Sequence, residues 1–117
     1  MLKQTLGKAD RITKSGEITR IFRRGGSASD ERLRLRVLAN SIGRRRMAVV
    51  VSRRNGNAVR RNRIKRLCRE AFRTCRTDLP ESFDYILQPA LGAELSVEAI
   101  QESLRRLAGR VVREGEK

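Results

Sequence analysis

The sequence of 117 residues has no histidine, no tryptophan and only two cysteines. Histidine is the commonest general base and the commonest metal ligand, so the usual residue for both kinds of site is missing. Two cysteines without histidine cannot complete a structural zinc site, which takes four such ligands. The composition therefore excludes histidine-dependent catalysis and a zinc-stabilised fold.

Acidic residues are absent from the middle of the chain, where no Asp or Glu occurs between Arg32 and Arg69. A magnesium-dependent active site needs several carboxylates that converge on the metal. The first acid after this stretch, Glu70, is better explained as an ion-pair partner of its neighbours Arg66, Arg69 and Arg73 than as a metal ligand. We therefore predict no catalytic residue, no metal site and no stably bound cofactor in the protein itself.

Long apolar runs are also missing. Residues 1–17, MLKQTLGKADRITKSGE, contain no apolar core of a signal peptide, and no segment approaches the roughly 20 apolar residues of a membrane-spanning helix. On one helix, Cys68 and Cys75 would lie about 10 Å apart at ~1.5 Å per residue, which is too far for a disulfide. These features predict a cytoplasmic protein with reduced, buried thiols.

What the sequence has in abundance is positive charge. The formal net charge is +15, and 23 of the 28 basic residues are arginine. Fourteen of them fall between Arg32 and Arg69, whereas the chain from Asp78 onward has eight acids and five bases. A field concentrated in this way steers a polyanion to one face of a protein, and the arginine fork suits phosphate oxygens. We predict that the partner is a nucleic acid.

Aromatic side chains are too few for the usual way of binding single strands. The sequence has three Phe and one Tyr, and Phe72 falls in an apolar helical stripe, so a broad stacking platform is absent. Phosphate contacts and arginine stacking must then provide most of the affinity. If about six phosphates are neutralised, log affinity should fall with log salt at a slope of about −4.

The pattern along the chain predicts a single domain over residues 15–113. A basic arm, mobile or ordered by RNA, is expected over residues 1–14, and a short tail over 114–117. Ser15 is expected to cap a short helix that ends at Gly25. Alternating or β-branched residues predict three strands, and Ser96 is expected to cap a last helix. The predicted strands span residues 31–39, 47–52 and 84–88.

The helix predicted over residues 58–74 has an apolar stripe and a basic face, and Asn57 is placed to cap it. The stripe, at the i, i+3, i+4, i+7 and i+8 spacing, consists of Ile64, Leu67, Cys68, Ala71 and Phe72. At ~100° per residue, the opposite face collects Asn62, Lys65, Arg66, Arg69 and Arg73. The stripe is expected to dock on the sheet and leave the basic face to RNA.

Residues 56–73, GNAVRRNRIKRLCREAFR, resemble the signature of the bacterial ribonuclease P protein component. VSRR before it, IFRRG and FDYIL occur in the family's order, and the resemblance covers about residues 12–112. It implies an α/β sandwich like the second domain of ribosomal protein S5, with about four mainly antiparallel strands, three helices and a left-handed βαβ crossover. A short strand at residues 26–30 is also implied only by the family.

The resemblance further implies an RNA-binding subunit of ribonuclease P, an endoribonuclease in which the RNA and its Mg²⁺ ions perform the hydrolysis. The protein would bind the catalytic RNA and hold the 5′ leader of precursor tRNA in a cleft between sheet and helix. It would be a monomer on its own, with no membrane partner. The protein would share in the enzyme only as a non-catalytic subunit.

The match carries the family's binding residues onto this sequence. Residues expected to contact the catalytic RNA are Arg61, Asn62, Arg63, Lys65, Arg66 and Arg69, with Arg73 added from the basic face. Residues expected at the leader cleft are Phe22, Ser52, Arg53 and Arg54, with Ile18 and Arg36 at positions where the family often has aromatics. Leader recognition is thus expected to depend more on charge than on stacking. At the position of Gln88-Pro89, the family commonly has a basic residue.

Other interpretations stay open at this stage. Arg61 and Arg63 flank the apolar stripe and could bond loop carbonyls, Asn62 could cap or bridge locally, and Phe22 could belong to the core as well as to the cleft. A ribosomal or other structural RNA-binding protein would share the charge, and a DNA-binding protein could place the basic helix in a major groove. A membrane-surface helix is the weakest alternative, because the core needs the apolar stripe.

Overall fold

The computed structural model describes residues 6–115, and their side chains up to Arg113. Its helices are α1 (Ser15–Arg24), α2 (Ala58–Cys75) and α3 (Val97–Gly115). Its strands are β1 (Gly26–Ser29), β2 (Leu33–Ala39), β3 (Arg46–Val49) and β4 (Phe83–Pro89). Short 3-10 turns occupy Lys8–Asp10, Arg53–Asn55 and Arg76–Asp78.

The four strands form one sheet in the order β1-β2-β4-β3. The β1–β2 and β2–β4 pairs are antiparallel, whereas β3 and β4 are parallel and are connected through α2. The expected four-stranded, mainly antiparallel sheet with three helices is confirmed. The strand implied only by the family is present as β1, although its first residues are glycine and serine and carry no strand signal of their own.

Each face of the sheet has its own apolar layer. The alternation in β2 sends Leu33, Leu35 and Val37 to the side covered by α2 and α3, where all three are buried. Burying one such side chain contributes about 1.5–3 kcal/mol, so this layer, the larger of the two, contributes more to stability than the other. On the other face, α1 packs Ile21 against Ile86 of β4 in a smaller cluster.

Helix α2 docks by the stripe expected from its sequence. Ile64, Cys68, Ala71 and Phe72 are buried, and Leu67 is half-buried at the edge. The Asn57 side chain accepts a hydrogen bond from the backbone N–H of Arg60 at 2.9 Å and caps the helix.

Both cysteines are free and buried, as expected. Burial raises the pKa of the Cys68 thiol to about 12 and that of the Cys75 thiol to about 11. Both thiols are therefore protonated at neutral pH, and their contribution is to packing.

Several predicted boundaries are wrong, including the start of β2, which is Leu33 and not residue 31. Helix α1 starts one residue early: the Lys14 carbonyl accepts from the N–H groups of Glu17 and Ile18, so Ser15 is already helical and cannot cap. Strand β3 ends at Val49, because the chain turns away after the Val50 N–H donates to the Leu87 carbonyl at 2.9 Å. The tail expected from residue 114 is still helical at residue 115.

The segment expected as an arm is packed against the sheet from its middle onward. Ile12 is only 5% exposed, and its N–H donates to the Met47 carbonyl at 2.8 Å. Arg11 forms a parallel bridge with Met47, which extends the edge of the sheet at β3. The folded part therefore begins before Ser15. Residues 1–5 of the predicted arm, and 116–117 of the predicted tail, lie outside the described residues.

Candidate nucleic-acid interface

An open groove runs along the exposed side of α2, with a volume of about 640 Å³. One wall is α2 and the other is the segment before Ile12. The lining residues are Leu6, Arg11, Asn62, Lys65, Arg66, Arg69, Glu70 and Arg73. We call this the α2 groove. It brings together five of the seven residues predicted to contact RNA, and it adds Arg11, which the sequence had not singled out.

The α2 groove is strongly cationic. Its one carboxylate, Glu70, accepts hydrogen bonds from the Arg73 guanidinium, and this contact lowers the pKa of Glu70. The ion pair expected for Glu70 is thus confirmed with Arg73. Within residues 6–113, the other four cations of the groove form no ion pair, and they are Arg11, Lys65, Arg66 and Arg69.

The remaining two predicted RNA contacts lie elsewhere on α2. Arg63 lines a second groove of about 570 Å³, together with Arg60 and the loop at residues 92–95. Arg61 is half-buried, and its Nε is buried without a hydrogen-bond partner among the described residues. Because successive helical residues are ~100° apart, the R-N-R triplet cannot present all three side chains to one groove.

On the α1 side of the sheet, Phe22 and Arg36 are in contact. The Arg36 guanidinium carbon lies 4.5 Å from the centroid of the Phe22 ring, within the range of a cation–π interaction. Arg36 Nε also donates to Gln88 Oε1 at 3.0 Å. Ile18 is half-buried and packs in the same small cluster as Phe22. Phe22 thus belongs partly to this cluster and partly to the surface.

The turn between β3 and α2 carries the remaining predicted cleft residues, Ser52, Arg53 and Arg54, all exposed. Ser52 Oγ accepts from the Arg54 N–H at 3.3 Å. The buried Asn55 holds the turn, because its Oδ1 accepts from the Ser52 N–H at 2.9 Å and its Nδ2 donates to the Pro89 carbonyl at 3.4 Å. The turn is therefore tied to the end of β4.

Gly56 completes this turn with a φ of 118°. A Cβ at this position would lie 2.6 Å from Arg60 Cδ, so a side chain would be strained both by the backbone and by its neighbour. Asn55 and Gly56 thus fix the backbone of the turn that carries Arg53 and Arg54.

The chain is similar to proteins of one known family. The Ribonuclease P family model matches residues 6–112. The chain belongs to the ribonuclease P protein family. The ribonuclease P protein components of Pelotomaculum thermopropionicum and Shouchella clausii are 35% and 38% identical, cover 86% of this chain and are themselves covered to 91% and 84%. Members of this family are components of a tRNA-processing endoribonuclease.

Solved structures of ribonuclease P proteins share the fold. The protein from Thermotoga maritima superposes with a TM-score of 0.78 at 28% identity, over 86% of this chain and 96% of that one. The protein from Staphylococcus aureus gives a TM-score of 0.72 at 31% identity, over 92% and 96%. These matches confirm the family and the fold that GNAVRRNRIKRLCREAFR implied.

The main structural feature that sequence reasoning missed in this ribonuclease P protein is an ion-pair network beneath α1. The Arg46 guanidinium donates to both carboxylate oxygens of Asp84 at 2.9 and 2.8 Å and to Glu17 at 2.7 Å. Asn40 Nδ2 also donates to Asp84, at 2.8 Å. The hydrogen bond to Asp84 raises the pKa of Arg46. Through Glu17, the network fixes α1 on the sheet and so sets the position of Phe22.

Two further findings concern metal sites and membrane spans. Among residues 6–113, no three His, Cys, Asp or Glu side chains lie close enough together to hold a metal ion. Within the same described part of the chain, no helix is both long and apolar enough to cross a membrane.

Proposed function

We propose that this protein is the RNA-binding subunit of ribonuclease P, and that it binds the catalytic RNA of that enzyme through the α2 groove. The observation that carries the proposal is a set of groove cations that form no ion pair within residues 6–113, namely Arg11, Lys65, Arg66 and Arg69. Four cations without protein carboxylates repel one another, and RNA phosphates relieve that repulsion while counterions are released.

The protein positions RNA, and the RNA with its own Mg²⁺ ions cleaves the phosphodiester bond. Two facts about the chain support this division. The sequence lacks histidine, and the described residues offer no cluster of carboxylates that could hold a pair of catalytic metals. Position and charge neutralisation are then the contributions left to the protein, in a cytoplasmic particle that contains precursor tRNA.

The 5′ leader of precursor tRNA is proposed to bind on the α1 side, between Phe22 and the turn at Ser52. Phe22 offers a single half-exposed ring, and Arg36 lies against it. Arg53 and Arg54 extend the positive charge toward the end of β3. With one ring available, leader recognition depends mainly on phosphate contacts, and stacking is limited to one base or to the Arg36 guanidinium.

A cleavage assay tests the function as a whole. Purified protein is added to a bacterial ribonuclease P RNA at low Mg²⁺, and cleavage of precursor tRNA is measured with a long 5′ leader and with a one-nucleotide leader as the control. We expect strong stimulation with the long leader and little with the short one. A protein that binds the RNA without leader-dependent stimulation would be a structural RNA-binding protein, and the proposal would be wrong.

A further inference from the structure

The segment before α1 is held in place by contacts on both sides of Arg11. Asp10 accepts hydrogen bonds from Arg44 at 3.1 Å and from Arg76 at 3.2 Å, and it also accepts from the Gly7 N–H at 3.2 Å. Ile12 is buried beside Met47. The three anchors come from the β2–β3 loop, the end of α2 and β3. The backbone at Arg11 is thereby fixed relative to α2.

The anchored backbone presents Arg11 to the α2 groove. Its side chain is exposed and lines the groove together with Lys65 and Arg69, and it forms no ion pair or hydrogen bond with the described residues. Its neighbour Asp10 is already occupied by Arg44 and Arg76. A cation that extends from an anchored backbone at the groove wall, with no side-chain partner in the described part of the chain, is available to an anion that enters the groove.

We propose that Arg11 is an RNA-binding residue, and that residues 6–12 form the second wall of a channel for the RNA phosphodiester backbone. This inference rests on the proposed function and extends it, because it adds an element outside α2 to the site. The RNA backbone would lie between the two walls and receive hydrogen bonds from Arg11 on one side and from Lys65, Arg66 and Arg69 on the other.

The dimensions favour a polymer over a single small anion. From Lys65 to Arg73 the cations of the groove follow α2 for about 12 Å at ~1.5 Å per residue. One phosphate cannot contact cations spread over that length, whereas successive phosphates of one strand can. Among the described residues, none of those that line the groove is aromatic, so the groove suits the backbone of RNA and not its bases.

The test compares four variants in binding to a bacterial ribonuclease P RNA transcript over a range of salt concentrations. Arg11→Gln removes the proposed contact, and Arg11→Lys retains its charge. Arg113→Gln is the matched control, since Arg113 is also exposed but belongs to α3 and does not line the groove. The double variant Lys65→Ala/Arg66→Ala tests the groove itself. Circular dichroism melting checks that each variant is folded.

We expect Arg11→Gln to weaken binding about tenfold, because one charge-assisted hydrogen bond to a phosphate is lost. The log–log salt slope should become shallower by about 0.7, the value for one phosphate contact on a single strand. Arg11→Lys should retain most of the affinity and most of the salt slope, and Arg113→Gln should change neither. A purely structural role for Arg11 would lower the melting temperature without changing the slope.

The outcomes separate this inference from the function on which it rests. If Arg11→Gln binds like the unaltered protein while the Lys65/Arg66 variant is weakened, the α2 groove stands and the inference about the second wall is wrong. If neither variant is weakened, the α2 groove is not the RNA site, and the proposed mode of binding fails with it. Equal losses in Arg11→Gln and Arg113→Gln would indicate a general charge effect and would also overturn the inference.

Discussion

On the α1 side of the sheet, Arg46 bonds to Asp84 and Glu17, and Arg36 lies against Phe22 and Gln88. In the α2 groove, by contrast, Lys65, Arg66 and Arg69 contact no carboxylate among the described residues. Both sets come from the same acid-free stretch of sequence between Arg32 and Arg69. The fold therefore divides one run of positive charge into a part that holds the protein together and a part left for a partner.

The difference shows how a highly basic chain can fold before it binds RNA. Exposed cations about 4 Å apart repel by only about 1 kcal/mol in water, so the groove is tolerated while it is solvated. A buried carboxylate is different, because removing its cation leaves an uncompensated charge at a cost of about 3–5 kcal/mol. Exposed arginines of the α2 groove are predicted to govern RNA affinity, and arginines paired with a buried carboxylate are predicted to govern stability.

The largest expected effect comes from Arg46→Met, which leaves the buried Asp84 without its guanidinium. We expect the free energy of unfolding to fall by about 3 kcal/mol, measured by urea denaturation. Arg66→Met is the matched control and should change stability by no more than about 0.5 kcal/mol. Similar losses in the two variants would remove the distinction between paired and unpaired arginines.

The double substitution Lys65→Ala/Arg66→Ala should weaken RNA binding and leave stability unchanged. We expect affinity for ribonuclease P RNA to fall about 100-fold, from two lost charge-assisted contacts of about 1.5 kcal/mol each, with stability unchanged. Arg23→Ala/Arg24→Ala, an adjacent pair of exposed arginines on α1, is the control. If the control loses as much affinity in a filter-binding assay, the α2 groove has no special role.

Arg36→Gln is expected to affect the leader and not the catalytic RNA. Loss of the guanidinium beside Phe22 should weaken binding of leader-bearing precursor tRNA to the assembled enzyme about fivefold to tenfold, as expected for one charge-assisted contact. Binding of mature tRNA, which lacks the leader, is the internal control and should not change. Equal weakening of both would place Arg36 outside the leader site.

The smallest effect concerns Asp30, another internally paired group. Burial alone would raise its pKa, but hydrogen bonds from Ser103, the N–H groups of Leu33 and Arg32, and the Arg106 guanidinium outweigh it and lower the pKa from 3.8 to about 2. A depressed carboxyl pKa stabilises the fold above pH ~4 and loses that contribution as the pH falls toward 2. We expect the free energy of unfolding to fall by about 1 kcal/mol over this range, a value already reduced for solvent screening.

Urea denaturation between pH 5 and pH 2 measures this effect. The slope of stability against pH in that window should be smaller in Asp30→Asn, which cannot titrate. An unchanged slope would mean that other carboxylates account for the acid sensitivity and that Asp30 contributes nothing to it.

The helices and central strands could be predicted because their signals are local. The α2 stripe needs only the 3.6-residue period, and β2 needs only alternation. The pairings of Arg46 could not, because its partners Glu17 and Asp84 lie 29 and 38 residues away in sequence. Nothing in the residue types predicts which carboxylate each of these neighbouring arginines meets; in the fold, Arg44 pairs with Asp10, Arg45 with Glu81 and Arg46 with Asp84.

The candidate site was predicted in part for the same reason. The helical period identified Asn62, Lys65, Arg66 and Arg69 as one face, and these residues line the α2 groove. Arg11 was missed because the polar sequence around it is typical of a mobile arm, whereas the buried Ile12 and the ion pairs of Asp10 fix this segment against the fold. Roles for Ile18, Ser52, Arg53, Arg54, Arg61 and Arg63 in binding RNA remain predictions.

The salt dependence of binding to ribonuclease P RNA tests the central claim most directly, that unpaired cations of the α2 groove bind RNA through its phosphates. The unaltered protein should show a log–log slope of about −4, as expected for about six phosphate contacts at ~0.7 each. In Lys65→Ala/Arg66→Ala, the slope should become shallower by about 1.4, the value for two contacts. An affinity nearly independent of salt, or a slope that the double variant leaves unchanged, would contradict the account.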